Sequence, residues 1–230
     1  MGGSLCFYVV GYRTEKSLVK GNMLITPSFL TAGKSASNIN DLNLGNLGEY
    51  INGEVNFQSL DAYGRMVEGS GYLYFGYDGM TGWFDGTYAP ATKDFAPGEA
   101  VWLALPGSDD SDVSPITITN SGEVNVADIT LALKVGNTAI GNMMAVNYPI
   151  ADIEVANVGD QINGEINFQS LDAYGRMVEG SGYLYFGYEG MTGWFDGTYT
   201  PASATLAPGQ GIWVASTAEG VTLKFYAPDL

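Results

Sequence analysis

Histidine does not occur among the 230 residues, which removes the commonest general base and the commonest metal ligand together. A single cysteine, Cys6, excludes an intrachain disulfide. It lies in the apolar run Leu5, Cys6, Phe7, Tyr8, Val9, Val10, where it reads as a small buried hydrophobe, with a lipid-bearing or intermolecular thiol as the alternative. Basic residues are scarce: nine Lys and Arg against 25 Asp and Glu give a formal charge of −16. Such a surface repels phosphate backbones and anionic lipid, so nucleic acid is not expected as a partner. It would keep a secreted protein in solution and could collect divalent cations. No apolar run reaches the roughly 18–20 residues of a membrane-spanning helix. The opening Met1, Gly2, Gly3, Ser4 lacks the basic and apolar regions of a secretion signal, as though one had been removed.

What the chain does contain is one stretch written twice. Residues 51–88 and 162–199 differ over 38 positions only at Val55 against Ile166 and Asp78 against Glu189. The offset of 111 residues is too long for a stacking repeat and fits two tandem domains of ordinary size. With 15 Tyr, 10 Phe and 32 Gly and no long helix-forming run, the expected class is all-β. The expected architecture is two tandem antiparallel β-sandwich-like lobes related by internal duplication, over residues 1–121 and 122–230. Only Asn120, Ser121 and Gly122 separate the end of one from the next apolar segment, so the lobes should be docked rather than tethered.

Strands are expected at 7–13 and 22–27, with residues 31–48 (TAGKSASNINDLNLGNLG) as a long irregular loop holding at most a helical turn near 38–44. Ile51, Gly53, Val55 and Phe57 alternate with Asn52, Glu54, Asn56 and Gln58, the period of a half-buried strand. In 72–77 both faces are bulky, Tyr72 and Tyr74 on one, Leu73, Phe75 and Tyr77 on the other. Turns are expected at 61–64, 79–82, 85–86 and 96–98, the last leading into the Trp102 strand and its twin into the Trp213 strand. Gly21, Asn22 and Met23 match Gly141, Asn142 and Met143, which would give the first lobe nine extra residues before the repeated block.

Gly82-Trp83-Phe84-Asp85 with Pro97-Gly98 and Trp102, and again Gly193-Trp194-Phe195-Asp196 with Pro208-Gly209 and Trp213, resemble an uncharacterised repeat module of secreted or surface proteins of bacteria. That resemblance implies an all-β extracellular or cell-surface module with no catalytic role.

The shared carboxylates Glu54, Asp61, Glu68 and Asp85, with Glu165, Asp172, Glu179 and Asp196, fit turn capping and solvated faces better than glycoside hydrolysis. No catalytic residue and no cofactor are expected. Calcium is the one ionic alternative, through Asp109, Asp110 and Asp112 in the acidic loop 106–114, although the loop lacks calcium-loop spacing and has no second copy. The aromatics Tyr72, Tyr74, Trp83 and Tyr88, with Tyr183, Tyr185, Trp194 and Tyr199, fill a core, pack against protein, or stack on sugar rings. The segment Leu5, Cys6, Phe7, Tyr8, Val9 and Val10 is a candidate for strand addition to a neighbouring copy, against the reading that it pairs within its own lobe. A self-assembling structural protein, forming a filament or layer, is therefore the leading expectation. A tandem glycan-binding module is the rival.

Overall fold

The computed structural model describes residues 12–17, 21–45, 52–58, 71–77, 79–105, 117–157, 163–169, 182–188, 190–217 and 219–228. The fold is all-β: among the described residues, twenty strands and two single-turn 3-10 helices, at Ile39–Asp41 and Ile150–Asp152, make up the regular structure. The first half runs β1 (Tyr12–Ser17), β2 (Gly21–Ile25), β3 (Ser37–Asn38), β4 (Leu42–Gly45) and β5 (Asn52–Gln58). It continues with β6 (Tyr72–Tyr77), β7 (Met80–Asp85), β8 (Asp94–Phe95), β9 (Val101–Leu105) and β10 (Thr117–Gly122). The second half begins β11 (Ile129–Ala132), β12 (Gly136–Gly141), β13 (Tyr148–Pro149), β14 (Glu154–Ala156) and β15 (Asn163–Gln169). It ends with β16 (Tyr183–Tyr188), β17 (Met191–Asp196), β18 (Thr205–Leu206), β19 (Gly211–Ser216) and β20 (Thr222–Phe225).

Each half forms three small antiparallel sheets in one and the same order. The orders are β2-β9-β5-β6-β7, β1-β10-β4 and β3-β8 in the first, and β12-β19-β15-β16-β17, β11-β20-β14 and β13-β18 in the second. Even an irregularity recurs: the register slips between Asn52 and Asn56 and again between Asn163 and Asn167. One core holds Ile25, Ile39, Leu42, Tyr74, Trp83, Phe95, Leu103 and Ile118; another holds Ile140, Ile150, Ile153, Trp194, Leu206, Val214 and Leu223. Tyr74 lies edge-on to Trp83 at 5.1 Å and Tyr185 to Trp194 at 5.2 Å, while Phe75 and Phe186 pack on the opposite face. The two-faced bulk of this strand is thus real.

Four sequence readings need correction. Residues 37–45 are not irregular loop: they form β3, a 3-10 turn and β4, capped by Asn38 and Asp41. Asn38, one of the polar residues that suggested a loop, supplies one of those caps. Residues 80–82 belong to β7 and not to a turn, because Gly82 (φ +121°) lets the strand continue opposite Phe75. The match of Gly21-Asn22-Met23 to Gly141-Asn142-Met143 is out of register. Ile25 pairs with Val101 as Ile140 pairs with Ile212, so Gly21 corresponds to Gly136 and Gly141 to Thr26. Counted from the equivalent Ile25 and Ile140 to the 3-10 turn of each half, the first half then carries four additional residues, not nine. Finally, the first described strand is the charged Tyr12–Ser17, which pairs with β10 inside its own half as β11 pairs with β20. Residues 5–10 lie outside the described residues.

The halves touch through corresponding positions. Ile25 bridges Gln210 and Ile140 bridges Glu99. The Thr26 N–H donates to the Gly209 carbonyl at 3.1 Å, and the Gly141 N–H donates to the Gly98 carbonyl at 2.9 Å. A self-complementary contact of this kind is what a two-fold axis generates. Trp102 and Trp213 pack together with Leu24 beside that axis, in a cluster separate from both cores. Leu30 crosses over further: its N–H and carbonyl exchange hydrogen bonds with Glu123, and its side chain packs on the second core.

Candidate functional site

Among the described residues, one duplicated feature that reaches solvent is the turn after β7 and after β17. Asp85 ends β7, and its Oδ1 accepts from the Thr87 N–H (2.8 Å), the Thr87 hydroxyl (2.7 Å) and the Ala89 N–H (3.1 Å). The Asp85 N–H donates to the Ala89 carbonyl and the Tyr88 N–H to the Asp85 carbonyl. Asp196 repeats the arrangement with Thr198 (2.8 and 2.7 Å) and the Thr200 N–H (3.0 Å). A side chain that bonds its own turn in this way fixes the turn locally. The Thr87 hydroxyl, then the backbone N–H groups, hold the Asp85 carboxyl below its ordinary range, and Thr198 with Thr200 does the same for Asp196.

Locked by that aspartate, Tyr88 and Tyr199 adopt φ of +63° and +62°, a left-handed conformation unusual outside glycine. Their rings are the most exposed large hydrophobics described, at 64 % and 65 %. Each lies against a buried phenylalanine, Phe75 at 6.0 Å and Phe186 at 5.9 Å between ring centres. Phe186 also carries the partly exposed Tyr188 at 5.9 Å. Aromatic bodies with hydroxyls at the rim, held on a fixed turn, can stack on an apolar ring face and hydrogen-bond its edge.

The other sequence-designated aromatics point inward. Trp83 and Trp194 are each 2 % exposed, with indole N–H groups donating to the carbonyls of Leu42 (2.7 Å) and Ile153 (2.8 Å). Tyr74 is buried, Tyr72 packs on the first core, and Tyr183 and Tyr185 pack on the second. Burial raises the pKa of Tyr74 and of Tyr185. So of the eight aromatics, the structure leaves Tyr88 and Tyr199 on the surface. Leu5, Cys6, Phe7, Tyr8, Val9 and Val10, the acidic loop with Asp109, Asp110 and Asp112, and Asp61, Glu68, Asp172 and Glu179 lie outside the described residues. Among the described residues no three His, Cys, Asp or Glu side chains converge as a metal site would require, and no helix is long and apolar enough to cross a membrane.

Sequence reasoning missed Asn120, whose buried Oδ1 accepts from the N–H groups of Ser28 (2.7 Å) and Phe29 (3.0 Å). It also missed Thr26 and the glycines that join the halves. The one available signal was a polar residue in an apolar strand, Asn120 after Ile116-Thr117-Ile118-Thr119. Comparison with protein-family models, curated proteins and solved structures found no match.

Proposed function

We propose that the chain is a non-catalytic structural protein, secreted or displayed on a bacterial surface, that assembles with copies of itself. In this reading it is a pair of sandwich-like lobes, 1–121 and 122–230, and Leu5 to Val10 add as a strand to a neighbour. The supporting observation is the register of β1. Tyr12 stands opposite Gly122, the last residue of β10, so the apolar segment leads into β1 at the point where the β10 strand ends. A strand-forming run of six apolar residues is the kind of segment that donor-strand assembly uses. Of the carboxylates shared by the halves, Asp85 and Asp196 are occupied as turn acceptors with lowered pKa, which makes them poor proton donors. The bacterial surface location rests on the resemblance of the Gly-Trp-Phe-Asp and Pro-Gly…Trp motifs. Deleting residues 1–11 and measuring mass by light scattering tests it. Large species that vanish on deletion support strand addition, and large species that persist sink it.

Tyr88 and Tyr199 favour a second reading, a tandem glycan-binding protein in which two equal sites raise avidity. It predicts a sugar-dependent change in tyrosine fluorescence that Tyr88→Ala with Tyr199→Ala abolishes while the fold survives.

A further inference from the structure

The two halves dock through positions that correspond, but the residues there are matched in size and not identical. Thr26 and Gly141 hold equivalent places and lie against each other: a Cβ on Gly141 would collide with the Cγ2 and Cβ of Thr26. Leu24 corresponds to Ala139, and Ala100 to Gly211. Here too the first half fills what the second leaves open, since a Cβ on Gly211 would lie 2.7 Å from Leu24 Cβ. On the other side of the axis the small Ala139 approaches Ala100, whose N–H points to its carbonyl at 3.5 Å.

Consider the wrong pairings in the same geometry. Two first halves would set Thr26 against Thr26 and Leu24 against Ala100, at distances that admit neither pair. Two second halves would set Gly141 against Gly141 and Ala139 against Gly211, leaving gaps where the native contact is filled. Repulsion in one wrong pairing and voids in the other are how an interface selects its partner. The frame is symmetric and the filling is not.

We infer that this face is a pairing surface that accepts only a first half with a second half, in the same chain or in a second copy. Two chains can therefore exchange halves and rebuild both native contacts. The connector favours this. Residues 123–128 are all that join β10 to β11, and short connectors promote exchange between copies. The exchange uses none of the residues of the N-terminal strand, so it stands or falls separately from strand addition.

The test uses two full-length variants, Gly141→Thr and Thr26→Gly. Alone, the first places threonine against threonine and the second glycine against glycine, so neither rebuilds the native contact within itself. In a mixture, the threonine introduced at position 141 of one chain meets the glycine introduced at position 26 of the other. The unaltered Thr26 and Gly141 meet at the second contact, so both interfaces are of native size. Co-refolding at equal concentration is expected to give a 1:1 species of twice the 24.4 kDa chain mass by light scattering, absent from either variant alone. Placing both substitutions in one chain should return the parent's mass and tryptophan emission. The pair Gly211→Ala and Leu24→Ala repeats the test at the other contact if Gly141→Thr prevents folding. Mixtures that stay monomeric, or variants that pair with themselves as readily as with each other, overturn the inference. Strand addition would instead show species larger than a dimer in each variant alone.

Discussion

Trp102 and Trp213 stand with ring centres 6.5 Å apart and planes inclined at 39°, each contributed by the equivalent strand of its half. Both indoles are buried in a cluster with Leu24 and Ala139, apart from the core of either half.

Replacing either by alanine should therefore cost about 3–5 kcal/mol, the usual range for a buried aromatic. The two losses should not add. Removing the second ring after the first takes away a contact already gone, so a double-mutant cycle in urea should give a coupling of about 0.5–3 kcal/mol. A coupling of zero would mean the rings do not sense each other.

Trp83→Phe keeps most of the apolar bulk but leaves the Leu42 carbonyl without its indole donor. The expected loss is about 1–3 kcal/mol, with the same loss for Trp194→Phe at Ile153. Equal shifts in urea midpoint would show that the two sites are energetic as well as geometric twins.

At Tyr88 the informative comparison is Gly against Val. Both lose the contact with Phe75, but only Val must hold a β-branched residue at the φ of +63°. Tyr88→Gly should be more stable than Tyr88→Val by about 1–2 kcal/mol, read as a difference in Tm. A tyrosine kept where glycine would be easier is a residue held for its ring.

Asp85 and Asp196 give the acid behaviour. Their folded pKa values lie below the ordinary aspartate value of 3.8, so their contribution to stability is complete above about that pH and is lost as pH falls through the lower folded value. The Asp85→Asn, Asp196→Asn double variant should lose less stability between pH ~6 and pH ~3 than the parent. Urea midpoints at the two pH values decide it.

The sequence made the duplication, the all-β class and the aspartate turns legible, because each is encoded within a few neighbouring residues. What it concealed depends on partners far along the chain. Strand register at Gly21 and Gly136 is set by the distant Leu105 and Ser216, so the local Gly-Asn-Met likeness misled. The irregular composition of 37–45 hid two strands whose partners are Phe95 and residues of β10. Trp83 and Trp102 are both tryptophans in apolar strands, and only the fold distinguishes the core indole from the one between the halves. The exposure of Tyr88 and Tyr199 could not be told from that of Tyr74 by pattern alone.

The ladder of β1 with β10 has a mechanical consequence. Force on the N-terminal end arrives at Tyr12 and leaves β10 at Gly122, its direct partner, and in the second half Ile129 and Phe225 are opposed in the same way. Tension between the chain ends thus unzips these sheets pair by pair instead of shearing a whole ladder at once. A chain pulled by its two ends would give way at these ladders in small steps, each pair absorbing a little of the load.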